Sequence, residues 1–132
     1  MITQSSLIFI VEDDEAYASM LKTFLVKLGY TNIRLFISAE RCLQNINLSP
    51  EVIITDYNLG ETTGLKLLET AKDIGKCFYS ILISGTFHKE HYNNEIPIHQ
   101  IDKHIVKGQN ELDILKSTLT HWSNSNYNIQ YY

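Results

Sequence analysis

The feature that most constrains this chain is a repeated change of hydrophobic period. Short, mostly β-branched apolar runs alternate with segments whose apolar residues recur at helical spacing. Residues 7–11 (LIFIV) read as a buried strand. From Asp14 the pattern turns helical, with Tyr17, Met20, Leu21, Phe24, Leu25 and Leu28 on one face and Gly29 as the stop. Residues 33–36 predict a second strand. Ser38 then caps a helix running through Leu43 and Ile46 toward Pro50. Residues 51–56 form a third apolar strand that meets an acid, Asp56, at its end. Residues 57–63 read as a loop, followed by a helix carrying Leu65, Leu67, Leu68 and Ala71 that ends near Gly75. Residues 78–83 and, more weakly, 101–106 supply two more strands. Asn110 is placed to cap a last helix bearing Leu112, Leu115, Leu119 and Trp122. A poor helical face over residues 87–100, with Pro97, predicts at most a short helix over 87–93. Strands alternating with helices imply a parallel sheet covered on both faces, wound by right-handed crossovers. One domain is expected over residues 1–122, with a loose, polar tail over 123–132.

Ligands of such a sheet bind beyond the carboxyl ends of its strands. Strand one ends in Glu12-Asp13-Asp14-Glu15, strand three in Asp56, strand four in Ser84-Gly85-Thr86 and strand five in Lys107. Acids crowded on one edge repel each other and call for a cation. A hard divalent ion with oxygen ligands, Mg²⁺ before Mn²⁺, suits them. One carboxylate is then free to act as nucleophile toward phosphorus. The phosphoryl charge is shared with Lys107 and the Ser84 hydroxyl.

These residues and their spacing resemble the receiver domain of bacterial response regulators, over roughly residues 7–121. The resemblance implies a flavodoxin-like doubly wound α/β sandwich with a five-stranded parallel sheet in the order 2-1-3-4-5. It implies Asp56 as phosphoacceptor, in the run Val52-Ile-Ile-Thr-Asp-Tyr-Asn-Leu-Gly60, with Gly64 opening the third helix. Asp13 and Asp56 would ligate Mg²⁺ directly, Asn58 through its backbone carbonyl and Glu12 through water. Lys107 and Ser84 would hold the phosphoryl oxygens, and Ser84 with His104 would form the switch. Three positions depart from the family's habit. Gly108 stands where proline usually follows the lysine, Gly60 replaces a frequent loop proline, and His104 replaces the switching aromatic. A histidine there makes the readout open to pH.

The implied partners are a histidine kinase or phosphotransfer protein upstream and a protein target downstream. The family's face of fourth helix, fifth strand and fifth helix is also a candidate for homodimerisation. Because the sequence ends soon after the last helix, output is expected through another protein or by phosphorelay. The domain is not expected to be an enzyme beyond its own phosphorylation and dephosphorylation. The alternative is a phosphorylation-independent pseudo-receiver that serves as an interaction module.

Other features read more simply. Asp14 and Glu15 suit a helix N-terminus. His88 and His91 flank Glu90 at metal-like spacing but lack a third ligand, so they, His99 and His121 read as solvated. Cys42 and Cys77 read as small buried residues in a reducing compartment. A formal net charge of −4 with no basic stretch argues against nucleic acid. No run approaches the length of a membrane span and no secretory signal is apparent, so a cytoplasmic location away from membranes is expected. An aspartate-based phosphatase would want a second acid where Asn58 stands. A flavin phosphate would be repelled by the four-acid first loop.

Overall fold

The computed structural model describes residues 1–85 and 101–124. Strands β1 (Ile8–Val11), β2 (Ile33–Phe36), β3 (Val52–Asp56), β4 (Tyr79–Ser84) and β5 (Lys103–Val106) form one parallel sheet in the order β2-β1-β3-β4-β5. Helices α1 (Glu15–Lys27), α2 (Ala39–Gln44), α3 (Gly64–Asp73) and α4 (Glu111–Ser123) cover it. This is the doubly wound, flavodoxin-like arrangement expected. The short helix expected over 87–93, Thr86, His88, His91 and His99, and the tail from residue 125 lie outside the described residues.

Strand pleating sorts the core into two layers. Phe9, Val11, Ile53 and Leu82 face one side and pack with Leu65, Leu68 and Ala71 of α3 and Cys42 of α2. Ile8, Ile10, Ile54, Ile81, Ile83 and Ile105 face the other, against Leu21 and Leu25 of α1 and Leu115 and Leu119 of α4. Burial of β1 and β3 on both faces explains why those strands are continuously apolar rather than alternating. Tyr79 stacks on Trp122, with ring centroids 4.4 Å apart, and secures the end of α4.

Capping side chains set the helix starts. Asp14 accepts from the amides of Ala16 and Tyr17, Ser38 from Arg41, and Thr63 from Lys66. Asp14 is therefore the structural acid its position suggested.

Several details differ from the sequence reading. Strand bounds shift by a residue or two, because the pairing register rather than the apolar run sets them. The second helix does not continue through Ile46. The Asn45 side-chain amide donates to the Arg41 carbonyl at 2.9 Å, and the chain passes into a 3₁₀ turn over Ile46–Leu48. Asn110 occupies the cap position of α4, but in a left-handed conformation (φ 59°) and without a side-chain capping bond. Met20 is exposed and Ala18 is buried in its stead, because the apolar arc of α1 is wider than the stripe that meets the sheet. Cys42 is buried, but Cys77 is exposed, since it lies in the turn before β4 rather than in the strand.

Candidate functional site

Parallel pairing fixes which residues meet at the carboxyl edge. Val11 is paired with Thr55, so Glu12 and Asp56, each one residue further on, emerge side by side. Asp56 is paired with Ile83 and Ser84 with Val106, which brings Lys107 to the same rim. Pleat parity matters as well. Glu12 is in phase with Ile8 and Ile10, Asp56 with Val52 and Ile54, and Lys107 with Ile105. All three thus belong to the face covered by α1 and α4.

Carboxylate oxygens of Glu12, Asp13 and Asp56 lie within 4.8 Å of one another. Glu12 and Asp56 are buried, at 2% and 9% exposure, whereas Asp13 is exposed. The Lys107 ammonium stands 3.2 Å from Asp56 Oδ1 and 3.6 Å from Glu12 Oε2. It also sits over the Tyr17 ring, 4.1 Å from the centroid. The Asp14 amide donates to Glu12 Oε1 at 3.2 Å.

Burial and mutual repulsion together outweigh the pull of Lys107 on these acids. Burial and then the neighbouring Asp56 charge push the Glu12 carboxyl from 4.5 up to about 7, against the opposing Asp14 amide and Lys107. Asp56 is also raised: burial outweighs the ion pair with Lys107. Like charges about 4 Å apart cost about 4 kcal/mol at an effective dielectric near 20. An oxygen-only cluster with surplus negative charge has the donor set and the charge demand of a hard divalent cation. The residues therefore fit Mg²⁺.

The backbone beneath Asp56 is equally specific. The Gly64 amide donates to the Tyr57 carbonyl at 2.7 Å. A Cβ on Gly64 would stand 2.2 Å from the Asp56 carbonyl oxygen, so only glycine lets α3 begin this close to the strand end. Asn58 lies exposed in the following loop, where its side chain accepts from the Gly60 amide at 3.1 Å.

Ser84 and His104 form a second group. They follow the other pleat parity, with Leu82, and Ser84 Oγ lies 2.8 Å from His104 Nε2. Ser84 is buried, and its carbonyl accepts from the Lys107 amide at 2.8 Å.

Two residues that the sequence did not flag complete the surroundings. The Tyr17 hydroxyl donates to Glu111 Oε2 at 2.6 Å, and the Gly108 amide donates to Glu111 Oε1 at 2.9 Å. Tyr17 showed only as an apolar-face residue of α1, and Glu111 drew no reading at all. Nothing local links positions so far apart.

The comparisons with known proteins agree with this architecture. The model of the response regulator receiver domain family matches residues 8–119. The chain belongs to that family and so to the signalling modules of two-component phosphorelays. No sequence among the curated proteins matches it. Among solved structures it is similar to the N-terminal domain of an uncharacterized protein from Wolinella succinogenes, with TM-score 0.79 and 25% identity, covering 93% of this chain and 98% of that one. It is also similar to a CheY-like receiver domain from Methanospirillum hungatei, with TM-score 0.76 and 24% identity over 94% and 98% of the two chains. A third similar structure is the BeF3-activated receiver domain of DrrB, with TM-score 0.76 and 19% identity over 91% and 98%.

Proposed function

We propose that Asp56 accepts a phosphoryl group from a phosphohistidine on a kinase or phosphotransfer protein, and that phosphorylation switches a protein-binding surface. The observation that carries this reading is the Lys107 ammonium 3.2 Å from Asp56 Oδ1, inside a cluster of three carboxylates. An Asp56 carboxylate oxygen attacks phosphorus while the P–N bond to the donor imidazole breaks and its electron pair returns to nitrogen. Lys107 is placed to stay against the oxygens that gain charge. Asp13 and Asp56 would hold Mg²⁺ or Mn²⁺ directly, with Asn58 acting through its carbonyl and Glu12 through water. The ion, when bound, supplies positive charge that offsets carboxylate and phosphoryl repulsion. Ser84, whose hydroxyl contacts His104 at 2.8 Å, would turn that hydroxyl to a phosphoryl oxygen.

The unit would comprise residues 1–122 with 123–132 as a tail, and would work in the cytoplasm. Its partners would be the donor protein, a downstream protein and, through the face around the fifth strand and last helix, a second copy. Among the described residues no helix is long and apolar enough to cross a membrane. Intact-mass measurement after incubation with acetyl phosphate and Mg²⁺ tests the reading. The parent protein is expected to gain one phosphoryl group and Asp56→Asn none. Equal labelling of the two, or none in either, overturns it. The Ser84–His104 contact favours the alternative, a pseudo-receiver whose surface is already set. In that case Mg²⁺ would give no saturable gain in thermal stability.

A further inference from the structure

We infer that Glu111 is a positioning residue for Lys107: one carboxylate grips both the ring on which the ammonium rests and the turn that starts at the next residue. The inference deepens the phosphoacceptor reading of Asp56 and rests on it.

Lys107 leaves β5 on a four-carbon stem that has no fixed geometry of its own. The residue after it, Gly108, has φ +82°, and nothing lies within 4 Å of where its side chain would stand. The turn therefore draws no side-chain packing from that position, and its form rests on backbone hydrogen bonds, with the Lys107 amide donating to the Ser84 carbonyl at 2.8 Å and the Gln109 amide to the Val106 carbonyl at 3.4 Å. Glu111 adds a side-chain bond to this turn. Its Oε1 accepts the Gly108 amide at 2.9 Å, closing the turn onto the first residue of α4.

The other carboxylate oxygen acts across the fold. Tyr17, from α1, donates its hydroxyl to Glu111 Oε2 at 2.6 Å, the short distance of a charge-assisted bond. That bond holds the Glu111 carboxyl below its ordinary range, while burial and then the same bond push the Tyr17 phenol upward. At neutral pH the donor is thus a phenol and the acceptor a carboxylate. A phenol that donates to an anion has a more electron-rich ring, and the Lys107 ammonium lies 4.1 Å from its centroid. The ammonium meets Asp56, Glu12 and the Tyr17 ring on three sides. Glu111 fixes the ring among these three, which carries no charge of its own. Without that ring in place, the stem can follow any of the acids.

The test uses Glu111→Ala, Glu111→Gln and Tyr17→Phe in the full chain, with three readouts. These are the NMR shifts of the Lys107 ε-methylene protons, the rate of labelling by acetyl phosphate at saturating Mg²⁺, and the Mg²⁺ concentration for half-maximal thermal stabilisation. In the parent, the tyrosine ring current is expected to displace the ε-protons upfield. Glu111→Ala is expected to remove that displacement and to slow labelling about tenfold, as loss of orientation does. The Mg²⁺ half-point is expected to stay put. Glu111→Gln retains an acceptor oxygen for one of the two bonds and is expected to fall between, as is Tyr17→Phe, which keeps the ring but loses its tether. The glutamine and phenylalanine variants carry the test should the alanine variant not fold. Unmoved ε-proton shifts, or shifts that move while labelling keeps its rate, overturn the inference. A parent that labels no better than Asp56→Asn overturns the phosphoacceptor reading instead, and the ε-proton shifts then decide on Glu111 alone.

Discussion

The two ends of the sheet treat their acids in opposite ways. Where β4 and β5 begin, Asp102 accepts the Ser80 amide at 2.8 Å and the Ser80 hydroxyl at 3.2 Å, while its own amide donates to Ser80 Oγ at 3.0 Å. This acid meets donors. At the other end, Glu12, Asp13 and Asp56 meet one another, with Lys107 between two of them. The first arrangement gives one carboxylate oxygen two donors, as structural hydrogen bonding requires. The second leaves charge uncompensated, and burial raises Glu12 and Asp56 further. The difference separates an acid that holds two strands in register from acids kept ready for a cation and a phosphoryl group.

The largest effect expected from breaking this contrast is on chemistry. Lys107→Ala removes the cation beside Asp56 and is expected to slow acetyl-phosphate labelling about 10²–10³-fold, a typical loss for one charge-stabilising group. Asp102→Ala is expected to leave the labelling rate unchanged. A rate for Lys107→Ala close to the parent's would place the lysine outside the reaction.

Next comes stability against pH without metal. Glu12 has a folded pKa of about 7 against 4.5 when unfolded. Below pH 4.5 it is protonated in both states and costs nothing. As pH rises toward 7 only the unfolded chain ionises it, so folding loses stability, by about 3 kcal/mol once the pH is above 7. Asp56 acts in the same direction. Urea unfolding without metal is therefore expected to show the parent losing more stability than Glu12→Gln between pH 5 and pH 8. Mg²⁺ is expected to restore the parent at pH 8 and to act weakly at pH 5. Parallel profiles for the two proteins would contradict the raised Glu12.

The smallest effect belongs to the structural end. Asp102→Ala removes the acceptor that the buried Ser80 amide reaches at 2.8 Å and is expected to cost about 1–3 kcal/mol in urea unfolding, at every pH between 5 and 8. A pH-dependent loss would erase the distinction between the two ends.

Much of this was open to reading along the chain, and the reasons are local. The LIFIV and VIITD runs are apolar on both faces, so they announce buried parallel strands, and Glu12 and Asp56 stand out because acids end apolar runs. Gly64 was visible from its position, although the 2.2 Å approach to the Asp56 carbonyl that demands it was not. Other features misled. Apolar spacing could not show the Asn45 side chain bonding back to Arg41 and ending the second helix. It could not distinguish exposed Cys77 from buried Cys42, because one residue separates turn from strand there.

The sequence by itself determined the strands, their order of use, and which of them end in acid or lysine. Period and terminal residue are properties of each segment alone. Only the tertiary structure decided that Tyr17 and Glu111, 94 positions apart, share a proton-bearing contact beside Lys107. Pleat parity assigns a side chain to a face. Which side chains meet across that face depends on how the helices settle on the sheet, and packing of the whole core sets that.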